Sequence, residues 1–155
     1  MRISNFIKAG FISATGFFII TFFYCKQSDK DAGIPEIPEA RIEGKIDGDL
    51  VRISVRIPEQ HHAYLDKGKD GRLIPISFDW ENTADQPAAP KLQSIPKGNF
   101  DDIVEATVLR GDGEFVFEVK KASGFAGKVI KVKSQICNEV KGVCYRPKIE
   151  NVVLN

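Results

Sequence analysis

Apolar and polar residues alternate with period two over much of this chain. Val51, Ile53, Val55 and Ile57 alternate with Arg52, Ser54 and Arg56, which puts the apolar set on one face of a half-buried strand. Ile74, Ile76, Phe78 and Trp80 alternate with Pro75, Ser77 and Asp79 in the same way. Pro75 has no N–H to give a ladder, so this strand is expected to start there or to lie on an edge. Further strands are expected over 41–46, 104–109, 114–120, 129–136 and 149–154. Asp47-Gly48 and Gly111-Asp112-Gly113 are turn signals between such runs. The stretch 82–97, with Pro87, Pro90 and Pro96, is expected to be a loop crossing between sheets. No segment keeps apolar residues at helical spacing over several turns. About seven short strands in one domain predict an antiparallel β-sandwich of immunoglobulin-like type, with Trp80 as its central core aromatic. An antibody-like inter-sheet disulfide is excluded, because no cysteine lies on an early strand.

The first 25 residues break this pattern. Arg2 and Lys8 precede an uncharged apolar run from Ala9 to Tyr24, and Cys25 stands where that run meets the polar KQSDKD. The layout is that of a secretory segment, and three outcomes fit it: cleavage alone, cleavage with lipidation of Cys25, or an uncleaved single helix. Lipidation of Cys25 is the preferred reading, with an uncleaved anchor next, although Phe22-Phe23-Tyr24 lacks the small residue usual before a lipidated cysteine. Segments 1–25 (signal or anchor), 26–40 (a polar tether carrying Pro35 and Pro38) and 41–155 (one β-domain) follow from the composition. Each outcome puts the domain on the periplasmic side of a bacterial membrane, where disulfides persist. The formal net charge of +1, with both signs interspersed and no basic cluster among aromatics, sets nucleic acid aside.

With Cys25 at the membrane, Cys137 and Cys144 remain as one pair. CNEVKGVC leaves six residues between the thiols, which a hairpin tip can close. As a staple, a loop of about eight residues is worth roughly 2.5 kcal/mol, since long loops gain most. A pair on a local loop also opens without unfolding the domain. Lys133, Lys141, Arg146 and Lys148 favour a thiolate and Glu139 opposes one. These observations leave a structural bridge and a redox pair both open. A metal clip requires four ligands at suitable spacing, which two thiols and distant histidines do not supply.

Other candidates are weaker. His61-His62 are adjacent on a strand and so face opposite ways, which prevents side-by-side chelation. The segment from Asp66 to Gly71 looks faintly like a calcium loop but has Ser77 where the twelfth-position glutamate belongs, and it is expected to be a turn. Arg110-Gly111-Asp112, a possible adhesion tripeptide, sits where a hairpin turn is expected. No phosphate loop, nucleophile elbow or paired-carboxylate arrangement stands out, and no cofactor is implied.

QICNEVKGVCYRP, together with SVRIPEQHHAYLD and IPISFDW upstream, resembles the N-terminal domain of DsbD, the bacterial membrane thiol:disulfide interchange protein. The resemblance runs from about residue 50 to residue 154 in the same order, and its most specific part is Cys144-Tyr145-Arg146-Pro147. It implies an immunoglobulin-like sandwich whose two cysteines receive electrons from a thioredoxin-like domain and reduce periplasmic oxidoreductases. Cys144 matches the cysteine that forms mixed disulfides and Cys137 its resolving partner. His62 and Tyr64 match residues lining the redox site, beside Tyr145, with His62 placed to exchange a proton with a thiolate. The family's cap loop falls at Phe100-Asp101-Asp102-Ile103, with aliphatic Ile103 where an aromatic is usual and Phe100 as its substitute. The loop between the cysteines is one residue longer than the usual pattern. The implied partners are thioredoxin-like redox proteins and a membrane electron conduit. The 155 residues contain no thioredoxin-like CxxC, so the reading is a monomeric redox carrier rather than a self-sufficient disulfide reductase. The rivals are a membrane-anchored lipoprotein binding module with a purely structural disulfide, and a metallochaperone using the thiols with His61 or His62.

Overall fold

The computed structural model of the chain describes residues 38–80, 90–119 and 122–155. The N-terminal apolar run, Cys25 and most of the tether lie outside those residues. Along the described chain run β1 (Arg41–Asp47), β2 (Leu50–Arg56), β3 (His61–Tyr64), β4 (Ser77–Asp79), β5 (Lys91–Ser94) and β6 (Asn99–Asp101). They are followed by β7 (Ala106–Leu109), β8 (Asp112–Glu118), a 3-10 turn (Ala122–Phe125), β9 (Val129–Ser134), β10 (Ile136–Asn138), β11 (Val143–Cys144) and β12 (Lys148–Val153). Every ladder is antiparallel, and the strands form three sheets: β1-β2-β8-β5, β11-β10-β3-β7-β6 and β12-β9-β4.

The first sheet packs across the other two in an immunoglobulin-like antiparallel sandwich. Val51, Ile53 and Val55 of β2 with Phe115 and Phe117 of β8 meet Ile130 and Val132 of β9, Val152 of β12, and Ala63, Leu109 and Ile136 of the five-stranded sheet. The alternation over 51–57 is what drives this, because period-two burial sends all four apolar side chains inward. The β1–β2 hairpin turns at Gly48-Asp49, with Gly48 at φ 59°, a backbone position that glycine adopts without steric cost. Phe78 meets Phe115 and Phe117 edge-on at 4.8 and 4.9 Å. Trp80 is half-buried at the rim of this group rather than at its centre, which the buried phenylalanines Phe115 and Phe117 occupy.

Four local expectations are corrected. The segment expected as a bare loop over 82–97 contains β5, which joins the edge of the first sheet by pairing with β8 through a register shift. The 74–80 run forms a ladder only at Ser77–Asp79, on the edge of its sheet as Pro75 led one to expect, and Pro75 itself makes an isolated bridge to Tyr64. Gly111 does not close a hairpin, since β7 and β8 belong to different sheets and Arg110-Gly111 carries the chain between them. The 129–136 run breaks at Gln135. Ser134 pairs with Lys148 in one sheet and Ile136 with Ala63 in another, and the Gln135 amide donates to the Tyr145 carbonyl at the break. At the other end of the domain, Ala40 is buried in the core and Lys148 pairs with Glu39, so ordered packing begins before Arg41.

Candidate redox site

The inner strands of the five-stranded sheet, β10, β3 and β7, are buried on both faces. Ala63, Leu109 and Ile136 point into the main core, whereas Tyr64, Ala106, Val108 and Cys137 point outward into a second, smaller cluster. Leu73, from the loop that returns to Tyr64 through Ile76, and Val104 pack against that cluster. The break at Gln135 is what delivers Cys137 to this outer face: it hands the chain from the three-stranded to the five-stranded sheet just before the cysteine.

Cys137 and Cys144 are direct cross-strand partners in the narrow β10–β11 hairpin and are joined as a disulfide, with Cα atoms 3.9 Å apart. The two ends of the bond differ in access. Cys137 is 2% exposed, whereas Cys144 lies on the exposed edge strand. The bridge sits outside the main core. Full burial of each large aliphatic or aromatic side chain there contributes about 1.5–3 kcal/mol, so the core's many members outweigh what a short-loop bridge adds.

On its other side Cys137 pairs directly with His62. Tyr64 stands two residues further along the same face, with the His62 and Tyr64 rings edge-to-face at 5.2 Å. The Tyr64 hydroxyl lies 3.6 Å from both sulfurs. Sulfurs bonded to each other carry no proton, so the phenol O–H is the donor. Burial first, and the Asp101 carboxylate second, push the Tyr64 phenol above its usual pKa, which keeps that O–H in place through the neutral range.

A line of charged groups runs beside the bridge. Glu139, within the cysteine loop, accepts from His62 Nδ1 at 3.1 Å and from the Arg110 guanidinium. Arg110 also donates to Asp101 at 3.2 Å. Asp101 accepts from the backbone N–H groups of Ile103 and Val104 at 3.1 and 3.4 Å. Although partial burial opposes it, these amides and the guanidinium hold Asp101 below the usual carboxylate range. The line thus ties the turn after β6, the end of β7 and the cysteine loop to one another. His62 Nε2 is buried and has no hydrogen-bond partner.

The neighbouring His61 faces the other way. Its Nδ1 donates to the Glu59 carbonyl at 2.7 Å, so Nε2 is the acceptor for the Asn138 amide at 2.9 Å, and its ring stands 6.1 Å from that of Tyr145. Asn138 Oδ1 in turn accepts from the Lys141 N–H, shaping the cysteine loop. Asp66 makes a turn, accepting from the N–H groups of Gly68 and Thr107. Among the described residues no three His, Cys, Asp or Glu side chains converge as a metal site.

The structure therefore gathers Cys137, Cys144, His62, Tyr64 and Asp101 in one neighbourhood. Phe100 is 64% exposed and Ile103 94% exposed, Asp102 lies on the exposed turn between them, and Tyr145 packs toward the main core. Arg110 had no sequence signal for this site; its position in an Arg-Gly-Asp turn pointed elsewhere.

The sequence profile of the family described as "Thiol:disulfide interchange protein DsbD, N-terminal" matches residues 34–155. The chain belongs to this family. In DsbD the N-terminal domain is periplasmic. Two solved chains from Neisseria meningitidis are similar to it. The DsbD N-terminal domain in its reduced form is 23% identical, with 72% of this chain and 81% of that chain covered and a TM-score of 0.49. The DsbD N-terminal domain in complex with the PilB N-terminal domain is 22% identical, with coverage of 72% and 79% and a TM-score of 0.45. Among curated proteins no sequence match was found.

Proposed function

We propose that this protein is a periplasmic thiol–disulfide carrier that works through Cys144, with Cys137 as the resolving thiol. The observation that carries the reading is the unequal access of the two sulfurs, one exposed on an edge strand and the other buried beneath Tyr64. Exchange proceeds by attack of a thiolate along an open path to one sulfur. When the carrier is charged, the thiolate of a thioredoxin-like donor attacks Cys144 Sγ, and the electron pair of the disulfide leaves on Cys137. The donor's second thiol then breaks the mixed disulfide, leaving a dithiol here and a disulfide on the donor. Discharge to an oxidised acceptor runs the same steps backwards.

The donor is in turn supplied by a membrane electron conduit. Segment 1–25 holds the domain at the membrane, by lipid on Cys25 or as an uncleaved helix, and the tether that starts at residue 26 and ends short of the packed Glu39 and Ala40 gives the domain reach to its partners. The segment Phe100-Asp101-Asp102-Ile103 serves as the family's cap in this reading, with Asp101, bound to Arg110, its one member in the neighbourhood of the pair. The carrier acts as a monomer.

Trapping tests the assignment. With an oxidised thioredoxin-like partner, reduced Cys137→Ala attacks the partner's disulfide and accumulates a mixed disulfide, and Cys144→Ala accumulates none. Equal trapping by both variants refutes the roles. A reduction potential well below about −300 mV with no exchange makes the bridge a staple and removes the carrier reading. Fatty-acid labelling that survives in Cys25→Ala removes the lipid anchor.

A further inference from the structure

Opening the Cys137–Cys144 bond leaves a thiol or thiolate on the buried side of the sheet, where little water reaches it. A thiolate is costly there unless it is hydrogen-bonded or takes up a proton, and a thiol there attacks slowly until the proton leaves. The group that handles this proton must therefore be local.

Cys137 has His62 as its direct cross-strand neighbour, which places their Cβ atoms about 4.5–5.5 Å apart on the same face. Freed from Cys144, the Cys137 side chain turns about χ1 and reaches toward the ring. The ring is already oriented. Its Nδ1 faces Glu139, a carboxylate that only accepts, so Nδ1 carries a hydrogen and the unpartnered, buried Nε2 is left toward the protein interior. Glu139 is itself fixed by Arg110, which also holds Asp101. The charged and titratable groups around the ring are thus Glu139 from the cysteine loop, Arg110 from the end of β7, Asp101 behind it, and Tyr64 and Cys137 on the sheet face. An orphaned nitrogen in such a fixed ring has no structural task that a phenyl ring would not fill equally well.

Building on the carrier reading, we infer that His62 Nε2 is the proton partner of Cys137, holding the proton that the resolving thiol gives up and receives during exchange. In discharge, Cys144 is joined to the acceptor's sulfur. Nε2 takes the proton from the Cys137 thiol, the sulfur attacks Cys144 Sγ, and the electron pair of the mixed disulfide leaves on the acceptor's sulfur. The acceptor, a protein disulfide, gains the two electrons, and Cys137 and Cys144 end as a disulfide. In charging, the donor's thiolate attacks Cys144, Cys137 leaves with the bonding pair, and it takes the Nε2 proton of a ring that solvent has first protonated to the imidazolium. Glu139, a third exposed, is the route by which the imidazole re-equilibrates with solvent.

The test uses the reduced full chain in detergent micelles with one equivalent of a nitrobenzoate disulfide, whose aromatic thiolate is coloured on release. A first release reports attack by Cys144, and a second reports resolution by Cys137. In His62→Gln the second release is expected to slow by at least about tenfold near neutral pH and to rise with pH as a simple thiol ionisation, with the first release unchanged. Equal second-phase rates in the variant and the parent, across the acid-to-alkaline range, overturn the inference and leave the carrier reading standing. No second release in the parent chain removes both. A measurement on the unaltered chain guards against a variant that folds poorly. The ¹⁵N resonance of His62 Nε2 is expected to move when the disulfide is reduced, and an identical resonance in both states refutes the role.

Discussion

The Tyr64 hydroxyl reaches both sulfurs, so its removal offers a quantitative test of what it does for the reduced state. In the oxidised protein the O–H donates to a neutral disulfide at 3.6 Å, a weak contact. After reduction the same O–H faces a thiolate, and hydrogen bonds to charged groups are worth about 1.5–3 kcal/mol against about 0.5–1.5 for neutral ones. The difference favours the reduced form by about 1–2 kcal/mol. For a two-electron couple about 1.4 kcal/mol corresponds to 30 mV. Tyr64→Phe, which keeps the ring in its cluster, should therefore lower the reduction potential by roughly 20–40 mV. Equilibration of the domain with a series of glutathione redox buffers, read by thiol alkylation, measures this directly. The shift should grow as pH rises through the ionisation of the reactive thiol, because the charged acceptor exists only above it. An unchanged or raised potential would show that the hydroxyl does not stabilise the reduced state, and would remove Tyr64 from the redox machinery.

Two further predictions concern stability and its dependence on pH. Asp66 is held below the usual carboxylate range by the Thr107 N–H, the Thr107 hydroxyl and the Gly68 N–H, in that order. A folded pKa depressed below the unfolded one gives stability that is present above the unfolded value and lost as pH falls through the folded one. Asp66→Asn should therefore cost about 0.5–1 kcal/mol near neutral pH, discounted for the exposure of the site, and almost nothing in strong acid; urea unfolding across pH checks this. Glu150 is the opposite case: burial first of all pushes its carboxyl up, and its Oε1 is buried without a partner. A raised folded pKa means stability is fully present below the unfolded value and lost as pH rises through the folded one. Glu150→Gln should thus stabilise by about 1 kcal/mol near neutral pH, with the gain shrinking toward acid. A variant that melts below the parent at neutral pH contradicts the account.

The amino-acid sequence by itself determined the parts of this protein whose causes are local. Alternation over 51–57 with a glycine two residues before β2 was enough for the first hairpin, because a strand's period and a tight turn's backbone are set by neighbours in the chain. The cysteine spacing likewise sufficed for a closed local loop, and the Cys-Tyr-Arg-Pro flank pointed to the family. The tertiary structure decided what depends on residues far apart. Nothing in the expected strand 129–136 marks Gln135 as the point where the chain changes sheets, since that break depends on β12 pairing with one part of the run and β3 with the other. That change puts Cys137 on the outer face beneath Tyr64, 73 residues away in sequence. The Arg110–Glu139 pair, 29 residues apart, and the His62–Glu139 pair, 77 apart, exist only once both sheet edges are assembled. Charged side chains on separate turns carry no pattern that names their partners, because a salt bridge is set by where the folded backbone brings its ends.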